Sequence, residues 1–224
     1  MANAQPHLQL LQEGAKQLGV ALSPETLVQF SLYLEELILW SAKIDLVSQT
    51  DRLTIIRKHF LDSLAVIPHL LEAKTILDLG SGAGFPGMPL AVSLAHTSVT
   101  LVETKRKRVN FLKQVARKIK ARNLTVLEGR AEVLAKEGLL QNHFDVVVTR
   151  ATWSIATFFD LAYPFVCDEG KIIAMRGPQK NAEIFSSQID KDKCQVVGFY
   201  EYTLPLGDEQ RSLLVFGKNV SRDT

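Results

Sequence analysis

Apolar residues recur at helical spacing up to about residue 70, then give way to short apolar runs separated by amphipathic stretches. Leu8, Leu11, Ala15 and Leu18 share one helical face, and Gly19 ends the pattern. Ser23-Pro24-Glu25 supplies an N-cap, a proline at the first helical position and an acid in the first turn. Behind it Leu27, Phe30, Leu34, Leu37 and Ile38 form one apolar stripe. A further helical stretch is predicted over 52–71, broken near Pro68. From Thr75 onward, runs at 75–79, 98–102, 124–127, 144–148 and 171–175 read as buried strands, with helices predicted at 86–95, 105–121, 131–136 and 157–163. This alternation specifies a parallel sheet with helices on both faces. The last two runs, 194–204 and 212–216, have no helix between them and are expected to pair antiparallel. The expected fold is therefore α/β: a mostly parallel sheet with an antiparallel C-terminal strand pair over 73–224, and a helical N-terminal extension over 1–72, together one compact unit.

Composition excludes several classes. With 46% of residues hydrophobic and 22% charged, the chain suits a globular domain better than a disordered or membrane protein. The longest apolar candidate, 30–40, is interrupted by Glu35 and Glu36, so no bilayer span is expected. The first residues lack the basic and apolar segments of an export signal, which leaves the cytoplasm as the expected location. Cys167 and Cys194 do not share a C-x-x-C spacing and are expected to be reduced. Histidines 7, 59, 69, 96 and 143 are scattered, so no metal site is expected. Charge changes the picture more. The net charge is only +2, yet nine cations and no acid lie between Lys105 and Arg122, which leaves the remainder at −7. A local cationic face on a mildly acidic body points to a polyanionic partner.

The strongest local motif is Gly80-Ser-Gly82-Ala-Gly84-Phe-Pro86-Gly87, placed between the first predicted strand and a helix. Open α/β sheets bind ligands there, past the carboxyl end of a strand. Taken literally, Gly82-x-Gly84-x-x-Gly87 matches a dinucleotide fingerprint, so an NAD(P)-dependent oxidoreductase is the first rival reading. Asp78 at the strand end argues for a ligand with an ammonium group, and Glu103 at the end of the second strand for a ribose diol. S-adenosylmethionine carries both. Ala131 and Glu132, after the third strand, are candidates for the adenine ring, and Arg150 ends the fourth strand on the same side.

At this point the chain resembles the bacterial 16S ribosomal RNA guanine-N7 methyltransferases, the glucose-inhibited division protein B family of class I, Rossmann-like methyltransferases. The matching pieces are Asp78–Gly87, His59-Phe-Leu-Asp62-Ser63, Lys107-Arg108-x-x-Phe111-Leu112, Arg130-Ala-Glu132, Thr149-Arg150-Ala151 and Arg211-x-Leu-Leu-Val215. The resemblance implies S-adenosylmethionine as cofactor, with Gly80, Phe85, Ala131, Glu132 and Arg150 against it. Gly82 belongs to the same loop.

Absences narrow the methyl acceptor. No Pro-Pro pair follows the fourth strand, as exocyclic amine methylation would require, and no Pro-Cys pair offers a cytosine-C5 nucleophile. Guanine N7 needs neither device. Arg150 is expected to act on the cofactor, a phosphate or guanine O6, and its truncation to leave thermal unfolding nearly unchanged. His59 and Asp62 are carried as candidates that either brace the fold or orient Arg150. Lys105, Arg106, Lys107, Arg108, Lys113, Arg117 and Lys120 lack acidic neighbours on their own helix and are expected to meet RNA phosphates. The expected partner is 16S ribosomal RNA or the small ribosomal subunit, bound by a monomer. A non-catalytic RNA-binding module is the second rival.

Overall fold

The computed structural model describes residues 6–70, 72–138, 140–150, 153–178 and 193–219. Helices α1 (Pro6–Gln17) and α2 (Pro24–Ser41) open the chain. The Ser23 hydroxyl accepts the Thr26 N–H at 3.1 Å, capping α2 as its sequence requires. The helical stretch predicted over 52–71 with a break near Pro68 is divided further. It comprises α3 (Arg52–Ile55), a π-helical turn (Ile56–Leu61), α4 (Asp62–Leu64) and a 3₁₀ turn (Ile67–His69). Strands and helices then alternate: β1 (Thr75–Leu79), α5 (Gly87–Ser93), β2 (Ser98–Glu103), α6 (Arg106–Lys118), β3 (Leu124–Glu128), α7 (Ala131–Glu137), β4 (Phe144–Thr149), α8 (Ile155–Ala162), β5 (Val166–Arg176), β6 (Cys194–Thr203) and β7 (Gln210–Lys218). Strand β5 starts earlier than its apolar run, because Val166 already pairs with Phe144.

The seven strands lie in the order β3-β2-β1-β4-β5-β7-β6. All neighbours pair in parallel as far as β5, and β7 is antiparallel to both β5 and β6. Strand side chains alternate between two cores. Ile76, Leu101, Val148 and Ile173 pack with α1, α2, the π turn, α5 and α6 on one face. Leu77, Leu79, Val147 and Phe216 pack with α7 and α8 on the other. The N-terminal helices thus share a core with the sheet. Their deepest contribution is Tyr33, fully buried, whose hydroxyl donates to the Ala83 carbonyl of the glycine loop. The residues this core presses against the loop set up the site.

Candidate functional site

Strand order reverses between β1 and β4, and ligands in open sheets bind in the crevice at such a switch point. A cavity of about 350 Å³ lies at the carboxyl ends of β1, β2 and β3, within the range of small-molecule sites. Gly80, Glu103, Lys105, Ala131, Glu132 and Trp153 line it. Glu103 is buried, and its two oxygens are oriented by backbone donors: Oε2 accepts the Gly82 N–H at 2.9 Å and Oε1 the Lys105 N–H at 2.7 Å. A carboxylate has about four acceptor positions, so a diol can still be bound. Gly82 holds φ at +59°, a left-handed conformation that keeps its amide on Glu103. Gly80 is equally constrained from the other side, since a Cβ there would stand 2.8 Å from the Trp153 ring.

Asp78 requires a correction. Expected to meet a ligand's ammonium group, it is instead fully buried beneath the loop and does not line the pocket. Its Oδ2 accepts the Gly87 N–H at 2.9 Å, at the first turn of α5. Burial pushes its pKa up to about 7. The physical reason is alternation: Asp78 shares a strand face with Ile76, away from the pocket. The same geometry speaks against a dinucleotide. A pyrophosphate needs free amides at this helix start, and a carboxylate of the chain already occupies one.

A second group of candidates assembles beside the pocket, off its wall. From β4, the Arg150 guanidinium reaches back to the π turn. Nη1 donates to the Lys58 carbonyl at 3.0 Å and to Asp62 Oδ2 at 3.1 Å, while Nη2 lies 2.8 Å from His59 Nδ1. Arginine only donates, so Nδ1 is the acceptor and the neutral ring carries its proton on Nε2. Burial, then Arg150, Lys58 and Arg211, push the His59 pKa down to about 3, which leaves it uncharged at neutral pH. Phe85 joins both: His59 stacks on its ring at 4.9 Å and the Arg150 guanidinium lies over it at 4.8 Å. Asp62, also buried, accepts from Tyr202 at 2.8 Å and faces Arg211 Nε at 3.6 Å. Arg150 therefore carries folding energy as well, and the expectation that truncating it would leave unfolding unchanged is withdrawn. Ala151, which continues its sequence motif, lies outside the described residues.

The family model described as rRNA small subunit methyltransferase G, or GidB, matches residues 26–214. The chain belongs to this family. The methyltransferase G of Syntrophus aciditrophicus is 35% identical over 217 residues, covering 95% of this chain and 90% of its own. That of Myxococcus xanthus is 36% identical over 210 residues, covering 93% and 95%. Among solved structures, M. jannaschii TYW2 in complex with AdoMet aligns with a TM-score of 0.55 at 15% identity, over 80% of this chain and 78% of that one. A variant of the 16S rRNA (adenine(1408)-N(1))-methyltransferase of Catenulisporales acidiphilia gives 0.56 at 15%, over 67% and 87%. At that identity the likeness is one of fold.

In this chain the cations of α6 and its two flanks divide into two sets. Lys105, Arg106, Lys107, Lys113, Arg117 and Lys120 are exposed. Arg108 is not: half-buried, it donates to the Asp45 carbonyl at 2.9 and 3.2 Å and borders the pocket over β1–β3. Lys118 is neutralised across the helix pair by Glu36 at 2.9 Å and Glu35 at 4.0 Å. Sequence reasoning had counted only acids on the same helix, and the compensating ones come from α2. It also passed over Trp153, Tyr202 and Tyr33. Only Arg211 left a signal, as part of the motif quoted for the family.

Proposed function

We propose that this chain transfers the methyl group of S-adenosylmethionine to N7 of a guanine in the 16S ribosomal RNA of the small subunit. Family membership over most of the chain supports the reaction class. The observation that carries the cofactor assignment is Glu103, held by two backbone amides on the wall of a pocket at the sheet's switch point. In this reading Glu103 takes the ribose hydroxyls, Gly80 and Gly82 let the backbone approach, and Ala131 with Glu132 faces the adenine. Asp78 keeps the loop in shape from below. When bound, S-adenosylmethionine supplies a methyl group on a positively charged sulfur.

Guanine N7 has a free lone pair at neutral pH, so the protein's task is alignment more than proton transfer. N7 must stay free to react, which leaves O6 as the acceptor an arginine can hold. In this reading that arginine is Arg150, which Asp62 and His59 hold at the end of β4. The base becomes cationic on methylation, and the neighbourhood tolerates it: His59 is neutral and Asp62 offsets the guanidinium charge. The exposed cations of α6 hold the RNA backbone, and the enzyme works as a cytoplasmic monomer, a state that sedimentation checks.

The test is transfer of labelled methyl from S-adenosylmethionine to small-subunit RNA from cells lacking the protein, followed by nucleoside analysis. Label in 7-methylguanosine is expected. Label in another nucleoside would overturn the acceptor assignment. RNA binding without transfer would leave a non-catalytic binding module, and calorimetric binding of NADH but not S-adenosylhomocysteine would restore the dinucleotide rival.

A further inference from the structure

A second cavity lies away from the methyl-donor pocket. It is a cleft of about 790 Å³ bounded by α6, the end of α2 and the edge strand β3. Its walls combine two chemistries. Trp40, Leu124 and Val126 are half-buried apolar residues, and Lys113, Arg117 and Lys120 are exposed cations around them. Lys113 and Arg117 lie one turn apart on α6, in line with Arg106 near its start, and Lys120 stands in the turn just past the end of the helix. None of them has an acidic partner among the described residues, whereas Lys118, on the neighbouring flank, is neutralised by Glu35 and Glu36. Charge is therefore cancelled where α6 meets α2 and left uncancelled where it borders the cleft. Trp40 is pinned by its Nε1–H on Glu36 at 3.1 Å and by Phe111 at 5.8 Å between ring centres, so its position in the cleft is set in advance.

A line of free cations beside a fixed aromatic suits an unpaired nucleic-acid strand: phosphates meet the cations and a base face covers the apolar floor. A duplex presents phosphates with its base faces stacked away, and would leave Trp40, Leu124 and Val126 uncovered. Lys105, just before α6, borders the methyl-donor pocket, and Arg117 on the cleft lies eleven residues after Arg106, roughly 17 Å along the helix. We propose that the cleft seats a single-stranded segment of the RNA substrate, one base against Trp40, as a second anchor apart from the methyl-donor pocket. This rests on the methyltransferase reading for the identity of the RNA, but the cleft itself can be tested without transfer.

The chain has two tryptophans, so a Trp153→Phe variant reports on Trp40 alone. A short single-stranded oligoribonucleotide should quench Trp40 emission, while a matched RNA duplex and polyglutamate should not. Reversing Lys113, Arg117 and Lys120 to Glu should abolish the quenching and lower the salt slope of binding by roughly 0.7 per lost phosphate contact. Trp40→Leu should weaken single-strand binding by roughly tenfold or more. Because Trp40 also braces α2, the exposed charge reversals serve as the variant that keeps the fold. Equal quenching by duplex or polyglutamate, or RNA binding with unchanged Trp40 emission, would overturn the proposal. Methyl transfer by the unmodified protein is measured alongside. Transfer without a Trp40 response discards the cleft alone, and a Trp40 response without transfer discards the methyltransferase reading alone.

Discussion

The pocket over β1–β3 and the cluster over β4–β7 sit side by side and are built on opposite principles. The pocket is a backbone structure: Glu103 is held by the amides of Gly82 and Lys105, and Gly80 makes room for Trp153. The cluster is a side-chain structure: His59, Asp62, Arg150, Tyr202 and Arg211 hold one another across the length of the chain. Backbone donors cannot reorient, which suits a site that must bind one cofactor in one pose. Linked side chains with offsetting charges suit a neighbour that becomes cationic during the reaction. The two regions should therefore fail differently when altered.

The largest effect is expected from Asp62→Ala. It strips the carboxylate from Arg150 and Arg211, and breaking a buried ion pair costs about 3–5 kcal/mol, toward the lower end here because both arginines keep some solvent contact. Urea unfolding should record this loss, while calorimetry with S-adenosylhomocysteine should find near-normal affinity in the folded protein. Gly82→Val should do the converse. A β-branched residue at φ +59° costs roughly 2–3 kcal/mol and displaces the amide from Glu103, so affinity for S-adenosylhomocysteine should fall by roughly a hundredfold. If the two variants lost stability and affinity in the same proportion, the regions would be one unit.

A smaller effect sharpens the boundary between them. Burial raises Asp78 from an ordinary value of 3.8 to about 7, so the folded chain keeps a proton that the unfolded chain releases. Its contribution to stability is greatest below about pH 4, declines as pH rises to about 7, and is level above that. Asp78→Asn removes the buried charge and should raise stability at pH 8 by about 1–2 kcal/mol, with little change at pH 4. Equal effects at both pH values, read from urea unfolding, would show that the carboxyl does not titrate in this range.

The same contrast explains what the sequence could disclose. Pocket residues are each tied to the end of a strand, so glycine spacing and strand order pointed to Gly80 and Glu103 without tertiary information, and the family resemblance added Ala131 and Glu132, which line the same pocket. Asp78 was misread although its parity was visible: two residues after Ile76 on the same strand, it had to share that core face. The cluster was only half legible. His59, Asp62 and Arg150 stood out as polar residues in motifs, but nothing local announces a π turn that brings Lys58, His59 and Asp62 to one guanidinium. Tyr202 lies in an edge strand of ordinary alternating pattern, and its bond to Asp62 spans 140 residues. Neutralisation of Lys118 was equally hidden, because Glu35 and Glu36 read as part of another helix.

The division of labour between pocket and cluster is tested most directly by single-turnover methyl transfer to small-subunit RNA as a function of S-adenosylmethionine concentration. Glu103→Gln keeps the shape of the pocket wall and weakens its acceptor, and Arg150→Lys keeps a charge and loses the planar fork that meets Asp62 and His59. The expected result is that Glu103→Gln needs more cofactor but regains most of the maximal rate at saturation. Arg150→Lys should show near-normal cofactor dependence with a maximal rate lowered by roughly tenfold or more, about 1.4 kcal/mol per factor of ten. A maximal rate lost in Glu103→Gln, or an Arg150→Lys defect cured by added cofactor, would contradict the assignment of cofactor to the pocket and acceptor to the cluster.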